Sequence, residues 1–311
     1  MTEPRAGNVL WLLLAAVALA GCGQTDGARS TDQPSAVSGD MPAAGVVRVF
    51  ARDFAFEAPD ELPSGWTTFH LENQGSQEHF MVLWKLPEGR TIADMEAEVM
   101  PAFDNAAYMA GEMDRGQYIE QIVSGIPEWY GGVVAGGGVG LLSPGHAAEA
   151  TVELEPGHYV MECYVRTPAG EFHSAIGMTH AFTVTAEQSD AAPPEADIDL
   201  TLTNYAIGVE GLLTAGQHTA RVSHADDPEG FVKHDIHLVR LEEGAGTADV
   251  VSWMDWIDAF MAPAPATFLG GSEDQPGGST SYFTFRLEPG SYAWISEGYA
   301  AQGMVEEFEV E

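Results

Sequence analysis

The chain contains one cysteine beyond its N-terminal leader, Cys163, and it is followed by His173 and Met178. A thiolate, an imidazole and a thioether in that order are soft donors, and such a set suits a transition metal, copper above all. One donor is missing for a complete site, a second imidazole. His79 supplies it at the start of an apolar run, His79-Phe-Met-Val-Leu-Trp-Lys-Leu86. Two imidazoles and a thiolate make a trigonal set, and an axial thioether tunes the redox potential. This set shuttles one electron and leaves no open coordination position for a substrate.

These residues belong to a tandem repeat. Arg52–Asn73 aligns with Thr203–His224 at an offset of 151, and His79–Gly89 with His234–Gly244 at an offset of 155. Leu154-Glu-Pro-Gly-His-Tyr159 recurs as Leu287-Glu-Pro-Gly-Ser-Tyr292, and Gly177-Met178 as Gly303-Met304. The two copies run over 46–186 and 197–311, joined at 187–196 by a stretch rich in Pro and small polar residues, the composition of a domain boundary.

Within each copy the periodicity is mostly that of strands. Val47–Ala51, Thr67–Leu71, Ala150–Leu154 and Ala181–Thr185 alternate or carry β-branched residues between Gly and Pro turns. About seven short strands per copy predict an antiparallel sandwich. The middle of each copy changes period. Thr91 and Asp94 form a capping-box pattern, and Ile92, Met95, Val99 and Met100 mark one helical face until Pro101. Val250, Met254, Ile257 and Met261 do the same in the second copy. These Met and aromatic stripes read as packing against one side of the sandwich, since Met fills irregular gaps.

Asn73-Gln-Gly-Ser-Gln-Glu-His79 resembles the cupredoxin segment that brings the first copper histidine to a strand start. Glu155-Pro-Gly-His-Tyr-Val-Met-Glu-Cys163 resembles the cupredoxin turn and strand leading to the copper cysteine, and His173-Ser-Ala-Ile-Gly-Met178 the closing histidine and methionine. The resemblance covers both copies apart from the helical insertions. It implies two tandem cupredoxin-like Greek-key β-sandwich domains, with copper held in the first by His79, Cys163, His173 and Met178. The second copy has lost the set: Ser296 stands for Cys163 and Tyr299 for His173, and only His234 and Met304 remain.

The spacing departs from the pattern at one point. Nine residues separate Cys163 from His173, and between Leu-Glu-Pro-Gly and Gly-Met the first copy is seven residues longer than the second. The excess, about Arg166–Phe172, has a turn-forming Thr-Pro-Ala-Gly centre. Such an extension can bulge outward and return His173 beside Cys163, or carry it away. The remaining histidines form no spaced cluster and are assigned to the surface or to strands.

The N-terminus has an apolar run after Arg5, ending in Leu19-Ala20-Gly21-Cys22. It is too short to span a bilayer and reads as an export signal over 1–22. Its last four residues resemble the lipobox of bacterial lipoproteins, which implies a lipid on Cys22, and 23–45 has the composition of a flexible tether. With Cys22 lipidated, Cys163 has no disulfide partner and the exported fold must rely on core burial. The 311 residues carry 12 basic and 47 acidic side chains, a net charge of −35. That sign excludes nucleic acid as a partner; it favours cationic partners, but simple solubility is the preferred reading of it. No nucleophile elbow, zinc-protease motif, phosphate loop or dinucleotide fingerprint is present, so no enzyme is expected. Two functions are left: a copper protein for electron transfer or copper handling, working with a redox or copper-handling partner, or a metal-free envelope module for binding or scaffolding.

Overall fold

The computed structural model describes residues 45–311 except 204, 229–231 and 243. The leader, the tether and Cys22 lie outside the described residues. The first copy contributes β1 (Val46–Arg52), β2 (Ala55–Glu57), β3 (Glu61–Asn73), β4 (His79–Lys85), β5 (Val134–Leu142), β6 (Ala147–Leu154), β7 (Gly157–Glu162) and β8 (Thr179–Gln188). The second contributes β9 (Ile198–Thr203), β10 (Ala206–Glu210), β11 (Gly216–His224), β12 (His234–Leu241), β13 (Thr267–Gln275), β14 (Thr280–Leu287), β15 (Gly290–Ile295) and β16 (Val305–Val310). β8 runs to Gln188, two residues into the segment expected to be linker.

Each copy is a two-layer sandwich. In the first, one layer holds β2, β1, β3 and β6, and the other holds β8, β7, β4 and β5. β3 serves both layers: Glu61–Ser64 pair with β8, and Gly65–Glu72 pair with β6. Its inward positions are Leu62 and Ser64, then Thr67, Phe69, Leu71 and Asn73. The alternation therefore slips by one residue between Ser64 and Thr67, at Gly65, whose φ of +99° suits glycine. A strand side-chain period of 2 makes such a slip exchange the two faces, and β3 passes from one layer to the other there.

The repeat seen in the sequence is geometric as well. Val47 pairs with Phe69 in parallel, and their counterparts Ile198 and Ala220 pair in the same way. Val82 pairs with Glu162, and His237 with Ile295. The copies are joined through both layers. β6 pairs with β14 and β5 with β13, both antiparallel. At each junction a residue meets its own repeat counterpart, Ala150 with Phe283 and Val139 with Ser272. A local two-fold relation between the copies explains this, because an antiparallel pair of equivalent strands must cross at equivalent residues. One hydrophobic core runs through both sandwiches, from Val49, Phe69 and Met161 to Leu238, Phe283 and Trp294.

The helical insertions fall between β4 and β5 and between β12 and β13. Thr91 and Asp94 do form a capping box, and Met95 and Val99 are buried against Leu86 and Val160. The helix does not stop at Pro101, which sits inside a 3-10 turn, Met100–Phe103. A longer helix not singled out in the sequence, Arg115–Gly125, follows an Asp114 cap. In the second insertion, among the described residues, only Ala248–Trp253 is helical. Ile257 and Met261 lie beyond it, so they share no helical face with Val250 and Met254. Ile257 packs instead with Tyr118 and Ile122 of the first insertion; packing between the insertions outweighs the local helical period.

Candidate metal centre

The site is built at one end of the first sandwich. His79 opens β4, Cys163 follows the last residue of β7, and His173 precedes the short 3-10 turn Ser174–Ile176. All three are fully buried. Nδ1 of His79 lies 3.7 Å from Sγ of Cys163, and Nδ1 of His173 lies 3.6 Å from it. The three donor atoms are all within 4.8 Å of one another.

The long loop between Cys163 and His173 is a closed hairpin. Arg166 bridges Phe172, the Thr167 amide donates to Glu171 O at 2.8 Å, and the His173 amide donates to Val165 O at 2.8 Å. The seven extra residues therefore leave and return, and His173 stands beside Cys163. Met178 is placed by the backbone. Its amide donates to His173 O at 2.9 Å and its carbonyl accepts from the Cys163 amide at 3.2 Å. Its side chain is fully buried.

The far nitrogen of each imidazole is engaged. His79 Nε2 lies 2.8 Å from Asp53 Oδ1, and His173 Nε2 lies 3.1 Å from Gln77 Oε1. With carboxylate and amide oxygens as acceptors, each Nε2 carries the proton and each Nδ1 keeps a free lone pair toward the sulfur. Outer hydrogen bonds of this kind orient metal-binding histidines. Asp53 is fixed in turn by the Ser76 amide and hydroxyl. Asn73 ties down the intervening loop, donating to Gln77 O and Leu142 O and accepting from the Gly75 amide. Phe54 lies over His173, with ring centroids 4.6 Å apart. Asp53, Phe54 and Gln77 were not identified from sequence. Gln77 lies within the Asn73–His79 segment, but nothing in the spacing of Asp53 and Phe54 links them to it.

Burial sets the protonation. It pushes His79 down against the pull of Asp53, and burial with the neighbouring His79 pushes His173 down to about 3. Both rings are neutral, as ligands must be. Burial pushes the Cys163 thiol well up, against the effect of hydrogen bonds with the Phe80 and Val165 backbone. Without a cation the sulfur keeps its proton; a metal ion supplies the charge that releases it. Neutral imidazoles, a buried thiol whose two backbone hydrogen bonds do not suffice to ionise it and a thioether fit copper, and the donor set resembles that of a type-1 copper site.

The second copy keeps the frame without the donors. The Ser296 amide donates to Met304 O at 3.1 Å and the Met304 amide to Tyr299 O at 3.1 Å, matching Cys163, Met178 and His173. His234 Nε2 meets Asp226 Oδ1 at 3.2 Å. A different group is buried nearby: Asp235, His237 and Glu297. His237 therefore belongs to a cluster that sequence spacing did not reveal, and His218 and His224 are buried too. Asp235 and Glu297 occupy the positions of Phe80 and Tyr164 in the repeat, so a contacting aromatic pair has become a pair of buried carboxylates.

No protein-family model matches the chain, and no curated protein matches it. Among solved structures it is similar to dithionite-reduced auracyanin from the photosynthetic bacterium Roseiflexus castenholzii, 24% identical, covering 46% of this chain and 99% of that one, with a TM-score of 0.27. It is similar to an azurin from Methylomonas sp. strain J, 14% identical, covering 36% and 95%, TM-score 0.27. A multicopper oxidase is 14% identical, covering 86% of this chain and 88% of its own, TM-score 0.23. These overlaps are loose, and the site is defined by its own geometry.

Proposed function

We propose that the chain is an exported copper protein that carries single electrons or handles copper, with one ion that would be held in the first sandwich by His79, Cys163, His173 and Met178. The observation that carries this is the convergence of two neutral Nδ1 atoms on one buried sulfur, 3.7 and 3.6 Å away, with both Nε2 atoms tied off behind them. A copper ion bound there supplies a one-electron couple. The protein's part is to hold the donors rigid, to keep water away and to fix both tautomers. The second copy is then structural or a docking surface for a partner. The protein is not an enzyme in this reading, and a lipid on Cys22 anchors it to the membrane at the cell envelope.

Titration with Cu(II) is expected to produce a visible thiolate-to-copper charge-transfer band at one ion per chain, and Cys163→Ser is expected to abolish it. Absence of both band and stoichiometric copper would leave the metal-free envelope module as the function. The anchor has a separate test. Cys22→Ala should move the protein from the membrane to the soluble fraction, and unchanged fractionation defeats that assignment.

A further inference from the structure

A cavity of about 540 Å³ lies between the first insertion, the 165–173 hairpin and the second sandwich. That volume is typical of a small-molecule site and far larger than a metal ion needs. Aromatic rings form much of its wall, including Trp84, Tyr130, Phe172 and Trp256. Its charged residues have one sign. Asp104, Glu162, Glu171, Asp274 and Glu297 line it, and among the described residues no Lys, Arg or His does.

Two of these carboxylates are only half satisfied: Glu297 Oε2 accepts from the Tyr164 hydroxyl at 3.4 Å, and the Lys233 backbone hydrogen-bonds Asp274. Asp274 is 4% exposed and Glu297 5%, and Asp274 Oδ1 and Glu297 Oε1 make no hydrogen bond. Behind them Asp235 and Glu273 are buried as well, with His237 as the nearby imidazole. That imidazole is already committed: Nδ1 accepts from the Leu141 amide and Nε2 faces Asp235 at 2.8 Å. Asp235 is satisfied too, by Ser296, the Glu297 amide and His237. The deficit of N–H donors is therefore shared by Glu273 Oε1, behind, and by Asp274 Oδ1 and Glu297 Oε1 at the cavity wall. A buried carboxylate oxygen left without a donor is costly, and burial with repulsion from Asp235 raises both groups above the usual carboxylate range.

We propose that this cavity binds a small organic cation, an ammonium on an apolar or aromatic body, with its N–H groups directed to Asp274 and Glu297 and its body against the aromatic wall. Ring faces attract cations, and the acidic chain raises the local concentration of positively charged ligands. None of the copper donors lines this cavity, although Glu162 and Ser174 beside Cys163 and His173 do, and cation binding there does not require copper.

The test is calorimetric titration of the copper-free full chain with 2-phenylethylammonium, against the neutral 2-phenylethanol. The ammonium is expected to bind roughly tenfold or more tightly than the alcohol, the value of a charge-assisted hydrogen bond. The double variant Asp274→Asn, Glu297→Gln should erase that difference. It removes buried charge, so it is expected to keep its β circular dichroism and its thermal transition, which separates lost recognition from lost fold. Equal affinity for the two probes, no binding of the ammonium, or an undiminished preference in the folded double variant overturns the proposal.

Discussion

His173 and Val165 are joined by a 2.8 Å hydrogen bond from the amide of one to the carbonyl of the other, and this bond closes the hairpin that returns the second imidazole to Cys163. The hairpin is held from outside as well. Arg166, fully buried, exchanges backbone hydrogen bonds with Phe260 and Ala262 of the second copy at 2.9 Å each, and its guanidinium donates to Ala259 O. The second copy, which keeps only His234 and Met304 of the four, thus helps position a donor in the first.

Arg166→Ala should therefore affect the metal centre although Arg166 touches none of its donors. Loss of the guanidinium contacts and of the stem's packing is expected to cost about 1–3 kcal/mol of stability and to weaken copper binding. Thermal melting of the copper-free protein and copper titration check the two effects; unchanged copper affinity would mean that the hairpin holds its shape without this clamp.

Gly75 has no room for a side chain. A Cβ there would lie 2.3 Å from Asp53 Oδ1 and 2.6 Å from His79 Nε2, in the middle of the hydrogen bond that orients the first histidine. Gly75→Ala is expected to push the two apart, lowering copper affinity roughly 10–100-fold, as loss of an outer-shell partner does. Circular dichroism should be unchanged. Wild-type affinity in this variant would show that the Asp53 contact is dispensable.

Asp53 itself offers a graded series. Partial burial pushes its carboxyl up, but hydrogen bonds from Ser76 and His79 outweigh this and hold it below its ordinary value. Asp53→Ala should cost roughly 10–100-fold in copper affinity, whereas Asp53→Asn, which keeps an acceptor oxygen for Nε2–H, should recover part of it. NMR of the His79 ring nitrogens reports the tautomer directly, and an unaltered tautomer in Asp53→Ala contradicts the role given to Asp53.

The acidic wall of the cavity makes stability fall as pH rises. Burial and repulsion from Asp235 push Asp274 up to about 8. The folded protein thus keeps a proton that the unfolded chain loses above its ordinary value of about 3.9. The favourable contribution is complete below about pH 4 and is lost as pH climbs through about 8, at up to roughly 1.4 kcal/mol per pH unit within that window. Asp274→Asn is expected to flatten this slope, raising the thermal midpoint at pH 8 and leaving it little changed at pH 4. Parallel wild-type and variant profiles across that range would remove Asp274 as the source.

Much of this was legible along the chain. The repeat and the strand periods come from local alternation and from residue matches at constant offsets, and these survive in a linear reading. The four donors His79, Cys163, His173 and Met178 stood out because soft ligand types are scarce here, with one cysteine outside the leader, and because the repeat marked equivalent positions. Three features needed the folded chain. The return of His173 depends on hydrogen bonds within a hairpin and on backbone contacts with the second copy, which spacing does not encode. Asp53 and Phe54 reach the site because β1 and β2 turn over it, and no periodicity connects them to residue 79 or 173. Asp274 lies near the end of β13 and Glu297 just beyond β15, and no spacing in the chain marks either as facing a cavity. Whether an inward acid meets a cation, a proton or a cavity depends on what packs opposite, and only the tertiary structure brings Asp274 and Glu297 together beneath an aromatic wall.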